Sequence, residues 1–305
     1  MKTRFVTRSY DPAISAKLEA EGYSRPVAQA LASRGVVSRA EMSTSFSGLI
    51  APSALPGADQ AAVMLADALE AREKIAVVGD YDCDGATACA VALKGLAMLG
   101  FRREDLAFFV PRRLDMGYGL SPVVVDALCE RFGRPALIVT VDNGIASLEG
   151  VARAHELGIR VLVTDHHLAG SELPAAEGFV NPNAQASPGR LSNLAGVGVF
   201  FYVLIALRSE LRRRGAFEGR REPNLAGLLD LVALGTVADV VPLDANNRIL
   251  VAQGLARLQK GAGCAGLSAL FSVATQNRRL IEDIGVKDLG FTLAPRINAA
   301  GRIAT

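Results

Sequence analysis

Four short apolar segments recur between residues 74 and 167, and each except the last is followed by a stretch with helical character before the next segment begins. They are KIAVVG, LAFFVP, ALIVTVDNG and RVLVTDHH. Strands that are apolar along most of their length suit a parallel sheet covered on both faces. Alternation of such strands with helices is the pattern of an α/β fold. The sequence therefore predicts an α/β fold with a mostly parallel sheet flanked by helices.

The sequence on either side of this region favours helices. Residues 1–50 predict short helices joined by polar loops, which we interpret as a helical N-terminal lead-in. From residue 196 the chain is again helical, beginning with a long amphipathic helix that ends at Gly215. We divide the chain into the lead-in, a main domain at 51–255 and a helical C-terminal segment at 256–305.

Composition restricts the class of protein. Half of the 305 residues are hydrophobic, which is typical of a globular protein. No apolar run reaches the ~18 residues of a membrane span, and the N-terminus lacks the apolar core of a signal peptide. The four cysteines show no CxxC spacing, which argues against a zinc or redox motif. We therefore expect a cytoplasmic protein with reduced cysteines.

Charge gives only weak information about partners. The net charge of +2 slightly favours an anionic partner. Arginines are clustered locally, but solvated helix faces explain most such clusters. The clusters are Arg112–Arg113, Arg212–Arg214, Arg220–Arg221 and Arg278–Arg279, with single arginines at Arg296 and Arg302.

Acidic and imidazole side chains follow three of the four apolar segments. They are Asp80, Asp82 and Asp84 after the first, Asp142 with Asn143 at the third, and Asp165, His166 and His167 at the fourth. In open parallel sheets, ligands bind beyond the carboxyl ends of the strands. A further segment, ALGTVADVVPL, places Asp239 in an apolar stretch, where a carboxylate is unfavourable unless it is paired or bound to metal.

The DYDCDG stretch also matches the first half of an EF-hand calcium loop. The EF-hand needs a bidentate Glu at its twelfth position, and counting from Asp80 that position is Val91. A strand rather than a helix precedes the acids, so the sequence excludes an EF-hand. The helix that follows is expected over residues 86–99.

Each acid taken singly has a simpler explanation, because an Asp after a strand often caps the next helix. Five or six aspartates meeting at one sheet edge would nevertheless repel one another unless cations neutralise them. Carboxylates with one imidazole suit Mn²⁺ or Mg²⁺ better than zinc. The sequence therefore predicts a site for Mn²⁺ or Mg²⁺.

The acidic segments also resemble a known family. DYDCDGATA, VTVDNG, DHH and ALGTVADVVPL, in this order, resemble the four motifs of the DHH phosphoesterase superfamily. GYGL, NPN, LAGVGVFF and PRINAAGR are similar to further blocks of its RecJ-type members. The resemblance runs from about residue 45 to the C-terminus. It implies a metal-dependent exonuclease that degrades single-stranded DNA 5′→3′ to mononucleotides in repair and recombination.

The resemblance implies roles for individual residues. It assigns one ion to Asp84, Asp142, His166 and Asp239, and a second ion to Asp82 and Asp142, with Asp80 as an additional option. Asp142 would bridge the two ions. Asp165 would fix an imidazole by accepting its N–H, and His167 would face the scissile phosphate.

The resemblance also implies contacts to nucleic acid. Arg113 corresponds to 5′-phosphate recognition, and Arg296, Asn298 and Arg302 to the DNA backbone, although ordinary surface ion pairs are an alternative for the arginines. RecJ-type proteins usually continue into a DHH-associated domain, so 256–305 is expected to be a connector toward such a domain. The five tyrosines are scattered, and no stacking platform is evident.

Two other functions stay open at this point. One is a DHH phosphoesterase acting on short oligonucleotides or cyclic dinucleotides. The other is a non-catalytic DHH scaffold, which the presence of every motif ligand argues against. Single-stranded DNA is the expected partner, with a single-strand-binding protein and a helicase as candidate protein partners and no membrane association.

Overall fold

A computed structural model describes residue 6 and residues 8–112, 116–184 and 189–303, with the side chains of 302 and 303 excepted. The chain forms two compact units, Met1–Leu49 and Ile50–Thr305. The assignment of 256–305 as a connector stays a proposal. Within the described ranges, no helix combines the length and the apolar character that crossing a membrane requires.

The first unit is a small helical assembly. Helices α1 (Pro12–Ala20) and α2 (Arg25–Ala32) pack against each other around the fully buried Leu18 and Ala28. The Asp11 side chain caps the amide end of α1. The predicted helical lead-in is confirmed.

The second unit is built on a sheet of five parallel strands in the order β2-β1-β3-β4-β5. The strands are β1 (Ile75–Gly79), β2 (Leu106–Phe109), β3 (Leu137–Val141), β4 (Arg160–Thr164) and β5 (Gly178–Val180). Every residue of β1 and β3 is buried, which explains their apolar sequences. Strand β5 was not predicted, because its three residues are too few to show a periodic pattern.

Helices cover both faces of the sheet. Among the described residues, the α-helices of the second unit that are longer than one turn are α3 (Ala58–Glu70), α4 (Cys83–Leu99), α5 (Pro122–Phe132), α6 (Leu148–Glu156), α7 (Gly196–Arg213), α8 (Leu229–Ala238), α9 (Ala245–Gln259), α10 (Ala265–Ala274) and α11 (Ala294–Ile303). One face packs on α5 and α6, and the other on α3, α4 and α7. Helices α8 and α11 pack beside α4. The predicted α/β fold, with a parallel sheet and a helical C-terminal segment, is confirmed.

Two helices differ from the sequence expectation. Helix α4 begins at Cys83, three residues before the predicted start, because the Asp82 carboxylate accepts the Gly85 amide at 2.9 Å and caps the helix. Asp84 therefore lies in the first helical turn. Helix α3 follows Gly57, whose φ is 81°. Because glycine has no capping side chain, the start of this helix has no capping signal in the sequence.

Candidate metal centre

The loop between β1 and α4 positions three acids by hydrogen bonds to its own backbone. Oδ1 of Asp80 accepts the Tyr81 amide at 2.7 Å, and Oδ1 of Asp82 accepts the Gly85 amide at 2.9 Å. A side chain on Gly85 would place its Cβ 2.4 Å from the Asp80 carbonyl oxygen. Glycine is therefore required for this tight turn from strand to helix.

Asp84 is fully buried and is held by the first residues of α7. Its Oδ2 accepts the Gly196 amide at 2.6 Å, and its Oδ1 accepts the Val197 amide at 3.0 Å. These amides are among the donors that the start of a helix leaves unsatisfied. The helix thus fixes both oxygens of a carboxylate that lies 112 residues earlier in the chain.

The residues after β3 turn sharply at the same edge of the sheet. Asp142 is buried and has a φ of 62°, a left-handed conformation that few residues other than glycine adopt. Asn143 donates its side-chain amide to the carbonyls of Val141 at 2.8 Å and Val78 at 3.0 Å. Asn143 therefore links the end of β3 to β1.

Asp165 organises the two histidines after β4. Its Oδ1 accepts the backbone amides of His166 and His167 at 2.7 and 3.1 Å, and lies 2.7 Å from Nδ1 of His167. Its Oδ2 accepts the Ile145 amide at 2.9 Å. Burial alone would raise the pKa of Asp165, but the bonds from His167 and Ile145 hold it below its usual value. Asp165 is thus an ionised acceptor that orients the His167 ring.

The NPN segment supports the histidine backbone from the other side. Asn181 donates its side-chain amide to the His167 carbonyl at 2.9 Å, and Asn183 donates to the His166 carbonyl at 2.6 Å. No role was predicted for this segment from the sequence. Its asparagines fix the backbone of His166 and His167.

His166 lies at the meeting point of three acids. Its Nε2 is 3.1 Å from Asp142, 3.6 Å from Asp239 and 4.0 Å from Asp84. Asp239 reaches this point from the C-terminal end of α8. Three sets of residues have potential ligand atoms within 4.8 Å of one another: Asp84, His166 and Asp239; Asp80, Asp82 and Asp142; and Asp142, His166 and His167.

Burial and mutual repulsion shape the electrostatics of the cluster. Burial raises the pKa of Asp84 well above its usual range, and the charges of Asp142 and Asp239 act in the same direction. Burial likewise raises the pKa of Asp142, with Asp82 adding to it, and raises the pKa of Asp80 to about 6. In the absence of cations the raised pKa values of Asp80, Asp84 and Asp142 mean that these three carboxyl groups resist ionisation.

Two buried atoms at the centre of the cluster fit a cation site. Oδ1 of Asp142 and Nε2 of His166 lie 3.1 Å from each other without the geometry of a hydrogen bond, and neither has a hydrogen-bond partner among the residues that the structure describes. Buried polar atoms are almost always satisfied, so orphaned acceptors that converge with other carboxylates suit a metal ligand set. Carboxylate oxygens with a single imidazole suit Mn²⁺ or Mg²⁺.

Comparison with known families agrees with this geometry. The N-terminal domain of the DHH family matches residues 74–236, which is more than half of the chain and spans β1 to α8. The chain belongs to the DHH family. All the acids and histidines discussed above except Asp239 lie inside the matched region.

Relatives of this DHH chain include RecJ exonucleases. The single-stranded-DNA-specific exonuclease RecJ of Salmonella typhimurium is 50% identical over 274 residues, covering 89% of this chain and 46% of the relative. A crystal structure of exonuclease RecJ bound to manganese matches 82% of this chain and 58% of that chain, with 36% identity and a TM-score of 0.67. The chain therefore spans about half the length of the curated relatives it matches.

A second solved structure matches the DHH chain over almost its whole length. RecJ of Thermus thermophilus, solved in complex with Mn²⁺, covers 97% of this chain and 40% of that chain, with 31% identity and a TM-score of 0.76. The fold thus continues past the matched DHH domain into the segment that contains α9, α10 and α11.

Four residues were predicted to contact nucleic acid, and these contacts stay predictions. Arg113 lies outside the described residues, and Arg302 is on α11 with its side chain outside them. Arg296 is exposed and donates to the Thr292 carbonyl within its own helical segment at 2.7 Å. Asn298 instead accepts the Cys83 amide at 2.6 Å, so its side-chain oxygen is used inside the protein.

Several arginine clusters form ion pairs at the surface. Arg212 pairs with Glu222, and Arg213 and Arg214 pair with Glu210. Arg279 pairs with Asp288. The ordinary explanation given for such clusters in the sequence analysis therefore accounts for these arginines.

Two tyrosines beside the acids were missed by sequence reasoning. The Tyr118 and Tyr81 rings meet edge to face with centroids 6.3 Å apart, and the Tyr118 ring also meets the ring of His167 at 6.1 Å. The Tyr118 hydroxyl donates to the Asp142 carbonyl at 3.4 Å. The expectation that the tyrosines are scattered is wrong for this pair, because residues so far apart in the sequence are brought together only by the fold.

Proposed function

We propose that this DHH chain hydrolyses phosphodiester bonds of single-stranded DNA from the 5′ end, using two divalent cations, Mn²⁺ or Mg²⁺. One observation supports this most strongly. Asp142 belongs to an acidic set with Asp80 and Asp82, and its Oδ1 also faces His166, which belongs to the set with Asp84 and Asp239. A carboxylate shared by two ligand sets is what a two-metal hydrolase needs.

In this proposal the residues of the chain hold the two cations and orient the His167 ring. Asp84, Asp142, His166 and Asp239 would hold one cation, and Asp80, Asp82 and Asp142 would hold the other. A bound pair of cations would supply activated water and neutralise charge on the phosphate. Asp165 acts only by fixing the His167 ring.

His167 is proposed to stabilise the phosphate in the transition state. Its side chain is 45% exposed, whereas that of His166 is 10% exposed, so His167 is the imidazole that a substrate reaches. Its hydrogen bond to Asp165 raises the pKa of His167, which favours the cationic form. A positive donor at this position would favour the charge that develops on the phosphate oxygens.

The tyrosine pair favours a strand of nucleotides as substrate. Tyr118 is 49% exposed and lies next to His167, so its ring is accessible to a base. Aromatic side chains bind single strands by stacking, since every base has a π-face. A single-strand-binding protein and a helicase stay predicted partners.

The test is a metal titration with two labelled substrates. A single-stranded oligonucleotide labelled at its 5′ end should release labelled mononucleotide at once in Mn²⁺, whereas the 3′-labelled strand should shorten progressively. Asp142→Asn is the matched inactive control. Cleavage of dinucleotides with no action on long strands would contradict the proposal and favour a phosphoesterase of short substrates.

A further inference from the structure

We propose that Asn298 is a positioning residue for the metal-ligand loop rather than a contact for DNA. The inference rests on the proposed metal-dependent function, and it reassigns a residue that the sequence analysis gave to the DNA backbone. It starts from the bond between the Asn298 side chain and the Cys83 backbone, which joins α11 to the start of α4.

The position of Cys83 gives this bond its importance. Cys83 lies between Asp82 and Asp84, which belong to the two different ligand sets of the centre. It is also the first residue of α4, and its amide is one of the donors that a helix start leaves without a partner inside the helix. Oδ1 of Asn298 accepts this amide at 2.6 Å.

Every acid of the loop is already held by a backbone amide. Asp80 and Asp82 accept amides of the loop and of α4, and Asp84 accepts two amides of α7. The peptide between Asp82 and Asp84 is held by a side chain from 215 positions later in the sequence. Asn298 therefore fixes the relative position of ligands for both ions.

The backbone of α11 touches the same loop. An ideal Cβ on Gly301 would lie 2.2 Å from the Tyr81 carbonyl oxygen, so only glycine allows this approach. Gly301 lies one helical turn after Asn298, so both residues are on the same side of α11. Two independent contacts thus hold α11 against residues 81 to 83.

The chemistry of the side chain suits this role. An asparagine oxygen accepts the amide without adding a charge beside a cluster that already holds many carboxylates. An aspartate at 298 would also accept the amide, but it would repel a DNA phosphate. The two substitutions Asn298→Ala and Asn298→Asp therefore separate a positioning role from a phosphate contact.

The experiment measures Mn²⁺ affinity of the whole chain by the electron paramagnetic resonance signal of free Mn²⁺. Asn298→Ala should weaken Mn²⁺ binding roughly 10–100-fold, the usual effect of removing a group that orients metal ligands. Asn298→Asp should restore binding to within a few-fold of the parent chain. Arg296→Ala, on the same helix, is the control and should leave Mn²⁺ affinity unchanged.

A second measurement compares binding of a single-stranded oligonucleotide in EDTA. If Asn298 contacts phosphate, Asn298→Asp will bind DNA more weakly than Asn298→Ala while both keep the parent Mn²⁺ affinity, and that result would overturn the inference. If Asn298→Ala does not fold, rescue of folding and of Mn²⁺ binding by Asn298→Asp supports the positioning role. In that case Gly301→Ala must also lower Mn²⁺ affinity. A parent chain that binds no Mn²⁺ would overturn the proposed function itself, whereas a parent and Asn298→Ala with equal affinity would overturn only this inference.

Discussion

The Cα of Gly196 lies so close to Asp142 that an added Cβ would be 2.5 Å from its Oδ1. The amide of the same glycine donates to Asp84 at 2.6 Å. One residue without a side chain thus meets acids from both ligand sets. This contact explains why α7 begins with glycine at the metal centre.

Gly196→Ala should damage the centre while leaving the fold in place. Either Asp142 or the start of α7 must move, because Cβ atoms in proteins essentially never approach another heavy atom to less than 3.0 Å. We expect Mn²⁺ affinity and nuclease activity to fall at least about tenfold, as for other changes around metal ligands. Isothermal titration with Mn²⁺ measures the first effect, and release of labelled nucleotides the second.

Gly198→Ala is the matched control for this variant. Gly198 lies two residues further along α7, and an added Cβ there would meet the Leu194 side chain, whose terminal carbon is nearest at 3.1 Å. A side-chain end can give way, so this variant should keep Mn²⁺ affinity and activity. Equal activity of both variants would show that the Gly196 contact does not matter.

Asp142→Asn should abolish hydrolysis under any metal and yet stabilise the metal-free chain. Burial and neighbouring carboxylates such as Asp82 raise the pKa of Asp142, which means that its charge is unfavourable without cations. Asparagine tolerates the left-handed φ of 62°, whereas alanine adds about 1–2 kcal/mol of backbone strain. Thermal unfolding in EDTA should occur at a higher temperature for Asp142→Asn than for the parent.

The same variant should lose most of the stabilisation that Mn²⁺ gives the parent. A ligand that binds only the folded state raises stability by mass action, so the Mn²⁺-induced rise in Tm reports the ion sites. A well-folded Asp142→Asn chain with near-normal activity would contradict the bridging role.

His167→Ala should bind Mn²⁺ like the parent and turn over substrate ~10²–10³ times more slowly, the usual effect of losing one transition-state donor. The expectation follows from the exposure of His167 and from its bond to Asp165. His167 also lies within ligand distance of Asp142 and His166, so a role as metal ligand is the structural alternative. Titration of the variant with Mn²⁺ decides between the two roles, since a ligand would lower the affinity.

The sequence predicted which segments deliver acids to the centre, and the reason is geometric. Parallel strands end at one edge, so Asp80, Asp142 and Asp165 had to lie near one another once the strands were identified. Asp239 was predicted from a different signal, an acid within an apolar stretch. These signals are local in sequence and need no knowledge of how the helices pack.

The contacts that the sequence did not predict join distant segments. The start of α7 holds Asp84, Asn298 holds Cys83, and Tyr81 meets Tyr118. Such pairs depend on the packing of whole helices and loops. No periodic or capping pattern around one partner indicates which residue the other partner is. The close contact of Gly301 was not predicted either, because the residue that leaves no room for a side chain there, Tyr81, is far away in the sequence.

Tyr118→Ala should weaken binding of single-stranded DNA, because stacking on one base is worth ~1–3 kcal/mol. That range corresponds to a loss of roughly 5–150-fold in affinity. Tyr118→Phe is the matched control, since it keeps the ring and removes only the hydroxyl that donates to Asp142. Fluorescence anisotropy of a labelled oligonucleotide in EDTA measures binding without hydrolysis, and equal affinity of Tyr118→Ala and the parent would exclude stacking at this position.

Asp288, which lies just before α11, should contribute to stability in a pH-dependent way. Its carboxylate accepts bonds from Arg279 at 2.6 and 3.0 Å and from the Gly285 amide at 2.9 Å. The hydrogen bonds from Arg279 hold the pKa of Asp288 below its ordinary value of 3.8. A carboxyl whose pKa is lower in the folded state stabilises the fold above the unfolded pKa, and this contribution disappears as pH falls through the folded value.

Asp288→Asn should therefore be less stable than the parent at about pH 6–7, and the difference should shrink as pH falls below about 4, since the parent then loses its charge as well. Urea unfolding of both chains at a series of pH values measures this window. Arg279→Gln should reproduce the flatter pH dependence, because it removes the charge that lowers the Asp288 pKa. A constant difference between parent and Asp288→Asn down to about pH 3 would mean that the charge of Asp288 does not cause the difference and that the ion pair with Arg279 adds nothing.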